Sequence, residues 1–157
     1  MPYIVLGLAA LVAIVDQLLK YLVVNFLDKT SPTEVIPNFF NLTYVENRGA
    51  AFGMLADARW IFITFTVLIT VFLIYILFKK KIDSKLFLTS VILIIGGGIG
   101  NLIDRIFLGY VVDYLSISFF PPVCNFADYC ITIGAVILVI YIVFVSDFCK
   151  KEKSKND

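Results

Sequence analysis

The chain of 157 residues contains no histidine. That absence excludes Ser-His and Cys-His nucleophilic catalysis, histidine general bases and histidine metal sites together. Charge is also scarce. Asp, Glu, Lys and Arg make up 16% of the residues and 61% are hydrophobic, against about 25% and 45–50% in soluble domains. A soluble enzyme, a disordered segment and a nucleic-acid binder all fit that balance poorly. A net charge of +1 supplies no global field to steer a charged partner. The three cysteines, Cys124, Cys130 and Cys149, are odd in number and lack paired spacing, so neither a disulfide framework nor a zinc site is expected. No repeat or low-complexity tract interrupts the chain, and its length suits one domain over 1–157.

What the chain does have is long apolar runs. A membrane helix needs about 20 mostly apolar residues to cross about 30 Å of hydrocarbon. Four stretches qualify, at about 4–26, 60–78, 86–103 and 129–148. The first lacks a basic leader, is too long for a signal-peptide core, and carries Asp16 and Lys20, so it reads as a retained helix. Lysines set the direction. Lys79, Lys80, Lys81 and Lys85 cluster between the second and third runs, and Lys150, Lys151, Lys153 and Lys155 follow the fourth. Basic loops stay inside, so both termini are expected in the cytoplasm and the segments 27–59 and 105–128 outside.

The first outer segment is too long for a simple helix connection. Its stretch Thr33–Glu46 is rich in β-branched and aromatic residues, with Phe40, Leu42 and Tyr44 alternating with Asn41, Thr43 and Val45 as in a half-buried strand. Pro37-Asn38 and Arg48-Gly49 can supply turns. The expected fold is an all-α membrane protein of four transmembrane helices, with a small extracytoplasmic β element on the outer surface.

Ionisable residues inside a span cost about 2.5–3.5 kcal/mol each on insertion scales. Asp16 and Lys20 are four apart with the acid first, the favourable orientation on one helix face. They form either a self-neutralising structural pair or a brace near a site. The third run ends with Gly96-Gly97-Gly98-Ile99-Gly100, then Asn101, Asp104 and Arg105. Gly96 and Gly100 share a face that admits close helix packing, and Asn101 and Arg105 share another. Asp104 and Arg105 are adjacent, so they do not face each other on a helix.

Two further acids lie beyond. Asp113 sits among apolar residues with no base beside it, and Asp128 opens the fourth run. Pro121-Pro122 between them stops any helix and bends the chain, so Asp128 can return beside Asp113. Asp128 also reads as a helix N-cap, a role for which Asn125 competes. Two close carboxylates share one proton. The ionised one draws a proton from water and the protonated one donates to a carbonyl oxygen. That is aspartic peptidase chemistry, which needs no metal or cofactor.

Four blocks carry a family resemblance: Asp16-Gln-Leu-Leu-Lys20; Asn47-Arg-Gly-Ala-Ala-Phe52; Gly100-Asn-Leu-Ile-Asp-Arg105 running on to Gly109-Tyr-Val-Val-Asp113; and Asn125-Phe-Ala-Asp128. In that order, on four spans, the chain resembles the lipoprotein signal peptidases (signal peptidase II), bacterial membrane aspartic peptidases. The resemblance implies that Asp113 and Asp128 are the catalytic pair and that Asn47, Asn101, Arg105 and Asn125 line or support the substrate site. Asp16 and Lys20 fall in a supporting block. It implies a prolipoprotein substrate, cut just before a diacylglyceryl-modified cysteine, in the bacterial plasma membrane, with no nucleic acid and a monomeric state. In that setting Asn47 is a candidate for stabilising the oxyanion and Arg105 for holding a carbonyl or the lipid's polar region. Leu19, Cys124 and Phe126 depart from the family's usual residues. The competing readings are a small transporter or channel subunit using Asp16, Lys20, Asp104 and Arg105 as an ion path, and a non-catalytic scaffold. The first expects polar residues spread through the spans, whereas most gather at one end; the second gives no reason for two aspartates to flank a proline-bent turn.

Overall fold

The computed structural model describes residues 1–49, 59–79 and 82–145. Four helices follow the apolar runs: α1 (Pro2–Phe26), α2 (Arg59–Lys79), α3 (Lys85–Phe107) and α4 (Phe126–Ile140), the last running into a π-helical turn, Tyr141–Val145. Each is long and apolar enough to cross a membrane, since 20 residues rise about 30 Å. The chain is a multi-pass membrane protein. Pro2 begins α1 where a missing N–H costs nothing. Lys80, Lys81, the tail lysines, Cys149 and positions 146–148 of the fourth expected span lie outside the described residues.

Helix α3 is the centre. Half of its span is buried, against 11% for α2, and α1, α2 and α4 all pack on it. Its glycines make this possible. A Cβ on Gly96 would meet the Ala9 carbonyl of α1 at 2.7 Å, and one on Gly97 would meet the Ala127 carbonyl of α4 at 2.6 Å. Neighbouring glycines therefore admit two different helices, one on each side. Val5, Ala9, Leu73, Leu77, Phe87, Val91 and Ile95 form the apolar core at the other end of the bundle.

The four helices carry a small β element, as expected, and it draws strands from both connecting segments. It is a four-stranded antiparallel sheet of β1 (Thr33–Ile36), β2 (Phe40–Asn47), β3 (Val111–Ile117) and β4 (Phe120–Cys124), in the order β1-β2-β3-β4. Pro37-Asn38 does turn the first hairpin, with Asn38 at φ 56°. Pro121 and Pro122 do not merely bend the chain. They lie in β4 at the sheet's edge, where a missing N–H breaks no ladder. The expected outer segments overlap the helices at their ends: Arg59 opens α2, Arg105–Phe107 close α3 and Phe126–Asp128 open α4.

Candidate active site

The site forms where the sheet meets the ends of α3 and α4. Helix α3 stops at Leu108, and Gly109, at φ +86°, takes the left-handed turn that suits glycine and sends the chain into β3. Asp113 follows four residues later, 2% exposed. Strand β2 reaches it through a one-residue bulge between Leu42 and Val45, after which Val45 pairs with Asp113 and Asn47 with Val111. Directly paired residues share a face, and so do residues two apart. The bulge thus puts Asn47 on Asp113's face and turns Glu46 away.

Both Asp113 oxygens accept from neutral amides. Asn47 Nδ2 donates to Oδ2 at 2.8 Å and Asn125 Nδ2 to Oδ1 at 2.6 Å. Asp128 is held the same way, by Asn101 Nδ2 on Oδ1 at 2.8 Å and the Asn125 backbone N–H on Oδ2 at 3.1 Å. Asn125 therefore bridges the two acids. It is also the N-cap of α4, accepting from the Asp128 N–H in a reciprocal capping box. The competition between Asn125 and Asp128 for that role resolves to Asn125, and Asp128 stands at the third helical position. Among the described contacts no cation touches either carboxylate. Burial first, and the Asp128 charge second, push the Asp113 carboxyl up to about 6.

Behind Asp128 lies a second polar cluster. Lys20 Nζ contacts Asp16 Oδ2 at 2.8 Å, Asp104 Oδ2 at 3.0 Å and Asn101 Oδ1 at 2.8 Å. The Asp16–Lys20 pair thus forms as its spacing suggested, and Asp104 finds its base in Lys20 rather than in adjacent Arg105. Gln17 completes the cluster, donating to Asp104 Oδ1 at 2.8 Å and to the Gly100 carbonyl at 3.1 Å. Its part was not visible in sequence: both partners are more than 80 positions away. Arg105 stands apart, half-buried, with its guanidinium 4.9 Å from the centre of the Phe62 ring. One Asn47 amide hydrogen is already committed to the Asp113 carboxylate. Positions 50–52 of the second motif block lie outside the described residues. Among the described residues no group of three Cys, Asp or Glu side chains is arranged to hold a metal.

Fold and site together describe a membrane protein with a paired-carboxylate centre at one end of its helix bundle. Comparison with known proteins is specific. A family model described as signal peptidase (SPase) II matches residues 8–144. A lipoprotein signal peptidase from Caldanaerobacter subterraneus subsp. tengcongensis is 47% identical over 137 residues, covering 87% of this chain and 94% of the relative. One from Halothermothrix orenii is 44% identical over 142 residues, covering 90% and 94%. A solved bacterial membrane enzyme superposes with a TM-score of 0.81 at 32% identity, covering 88% of this chain and 87% of the other. The chain belongs to the signal peptidase II family and is a membrane aspartic peptidase. The transporter reading has no support among these relatives.

Proposed function

We propose that the chain is a single-domain endopeptidase that removes signal peptides from prolipoproteins, cutting before the lipid-modified cysteine, with Asp113 and Asp128 as the catalytic pair. The observation that carries this reading is the symmetrical holding of both carboxylates by neutral donors, with Asn125 common to both. A neutral cradle leaves the pair free to exist with one proton between its members, whereas a directly bound cation would favour ionising both. The ionised carboxylate removes a proton from a water as its oxygen attacks the scissile carbonyl carbon. The protonated one gives its proton to the carbonyl oxygen. Collapse of the tetrahedral diol then breaks the C–N bond: the leaving nitrogen takes the proton held by the pair, a diol hydroxyl returns one to it as the new carbonyl forms, and the pair again holds a single proton. The two acids titrate as a unit, so the roles belong to the pair.

Asn47, Asn101 and Asn125 orient the carboxylates. Arg105, at the end of α3 and on the edge of the site, offers several donors to a substrate carbonyl or to the lipid's polar region. Lys79 ends α2 and Lys85 begins α3, while Asn101–Arg105 lie in the last turns of α3. The site is therefore at the membrane end opposite these lysines. By the positive-inside rule it faces the extracytoplasmic side of the bacterial plasma membrane, with both termini in the cytoplasm. A substrate anchored by its lipid in the outer leaflet meets a site at that depth, as a monomer and with no metal or cofactor required.

The test is single-turnover cleavage of a lipidated prepeptide by purified, folded variants. Asp113→Asn and Asp128→Asn keep shape but lose proton transfer, and each removes nearly all cleavage. Asp104→Asn, whose carboxylate serves Lys20 and Gln17, keeps a measurable fraction. A dead Asp104→Asn beside an Asp113→Asn that still cuts would reassign the pair.

A further inference from the structure

We infer that Lys20 is a positioning residue for both reacting carboxylates, acting at one remove through Asn101 and through the backbone on either side of the site. This rests on Asp113 and Asp128 being the reacting pair. An ammonium has three donors, and at 3% exposure all three of Lys20's are used: on Asp16, Asp104 and Asn101. Each partner continues to a residue of the pair or to its chain neighbour. Asp16 Oδ1 accepts from the Ala127 N–H at 3.0 Å, next to Asp128. Asp104 Oδ2 accepts from the Val112 N–H at 3.1 Å, next to Asp113. Asn101 donates to Asp128 itself.

The Asn101 contact depends on which way its amide points. With its oxygen on the ammonium, its NH2 must face Asp128. With the amide reversed, a carbonyl would oppose a carboxylate and NH2 would oppose Lys20, two repulsive contacts in a buried place. Lys20 thus fixes the amide, and the amide fixes the carboxylate. Placing the ammonium one amide away also keeps a full positive charge off the pair, whose shared proton a direct ion pair would displace. A purely structural Asp16–Lys20 pair within α1 has no need of the other two contacts.

The experiment uses the full chain in detergent, reading thermal midpoint, kcat and KM on a lipidated prepeptide for Lys20→Met, Lys20→Met with Asp16→Asn, Asn101→Ala, and Lys20→Met with Asn101→Ala. Lys20→Met is expected to lower kcat about 10- to 100-fold, as when an outer partner that orients a site ligand is lost, with KM little changed. Adding Asp16→Asn restores the cluster's formal charge, so the thermal midpoint recovers while kcat does not. In the Asn101→Ala background, Lys20→Met costs less than it does alone, because the route through Asn101 is already lost while the two backbone routes remain. Recovery of kcat together with the midpoint, or losses that multiply in the cycle, would overturn the inference. Where Lys20→Met does not fold, the charge-restored variant carries the same comparison. Asp113→Asn and Asp128→Asn run in parallel: if either still cuts, the pair assignment fails and this inference with it. If both are dead while Lys20→Met retains full kcat, this inference alone fails.

Discussion

Asp113 works against the fold that holds it. Its carboxyl is pushed from 3.8 up to about 6 by burial and then by Asp128, with the Asn47 and Asn125 hydrogen bonds pulling the other way. The folded state therefore prefers the protonated acid. That contribution to stability is full below the unfolded value and is lost as pH rises through about 6. The thermal midpoint of the wild type should fall between about pH 4 and pH 7, and that of Asp113→Asn, which cannot ionise, should fall less over the same range. An equal fall in both would show that Asp113 is not the group responsible. Cleavage should follow a bell-shaped pH dependence, because activity needs one proton on the pair, neither none nor two. At this scale the sequence was informative where chemistry is unusual: an acid among apolar residues with no adjacent base, as at Asp113, is costly to bury and marks a place where a carboxyl is put to use. It was silent on Gln17, an ordinary polar residue whose partners are distant in the chain.

Between elements, close approach is the governing constraint. A Cβ at Gly100 would fall 2.5 Å from Asp16 Oδ2, whereas one at Gly7 would meet nothing within 4 Å. Gly100→Ala should therefore cost about 1–3 kcal/mol through overpacking and lower cleavage as well, since Asp16 shares Lys20 with Asn101. Gly7→Ala should be neutral or slightly stabilising, as Ala is the better helix former. Thermal midpoints of the two variants in detergent check this, and equal midpoints would refute it. The four helices and the first hairpin were legible from length, hydropathy and the Pro37-Asn38 turn. The second hairpin was not, because Val111 and Val112 are both buried, which erases the alternation that marks a half-buried strand. Pro121-Pro122 reads as a stop unless the strand is known to lie on an edge. The bulge that exchanges Glu46 for Asn47 beside Asp113 also leaves no local signal, since it is set by pairing with a strand far along the chain.

For the whole molecule, orientation is the property open to direct test. In single-cysteine variants of intact cells, a membrane-impermeant thiol reagent should reach Cys124 and spare Cys149. Burial first, then the charges of Asp128 and Asp113, push the Cys124 thiol up to about 11, so the labelling belongs at alkaline pH, where thiolate is present. Labelling of Cys149 alone would invert the protein. The clustering of Asp16, Lys20 and Asp104 also bears on how the chain enters the bilayer during synthesis. Helix α1 leaves the ribosome carrying one acid and one base four residues apart, so it can insert as an electrically neutral span before any neighbour exists. Helix α3 later brings its own acid and base, Asp104 and Arg105. Adjacent on the helix, those two do not face each other: in the folded chain Asp104 pairs with Lys20 and Arg105 lies over the Phe62 ring. Docking α1 against α3 is thus the event that gives Asp104 its base, and the acid of α3 has no cation facing it until that charge cluster has closed.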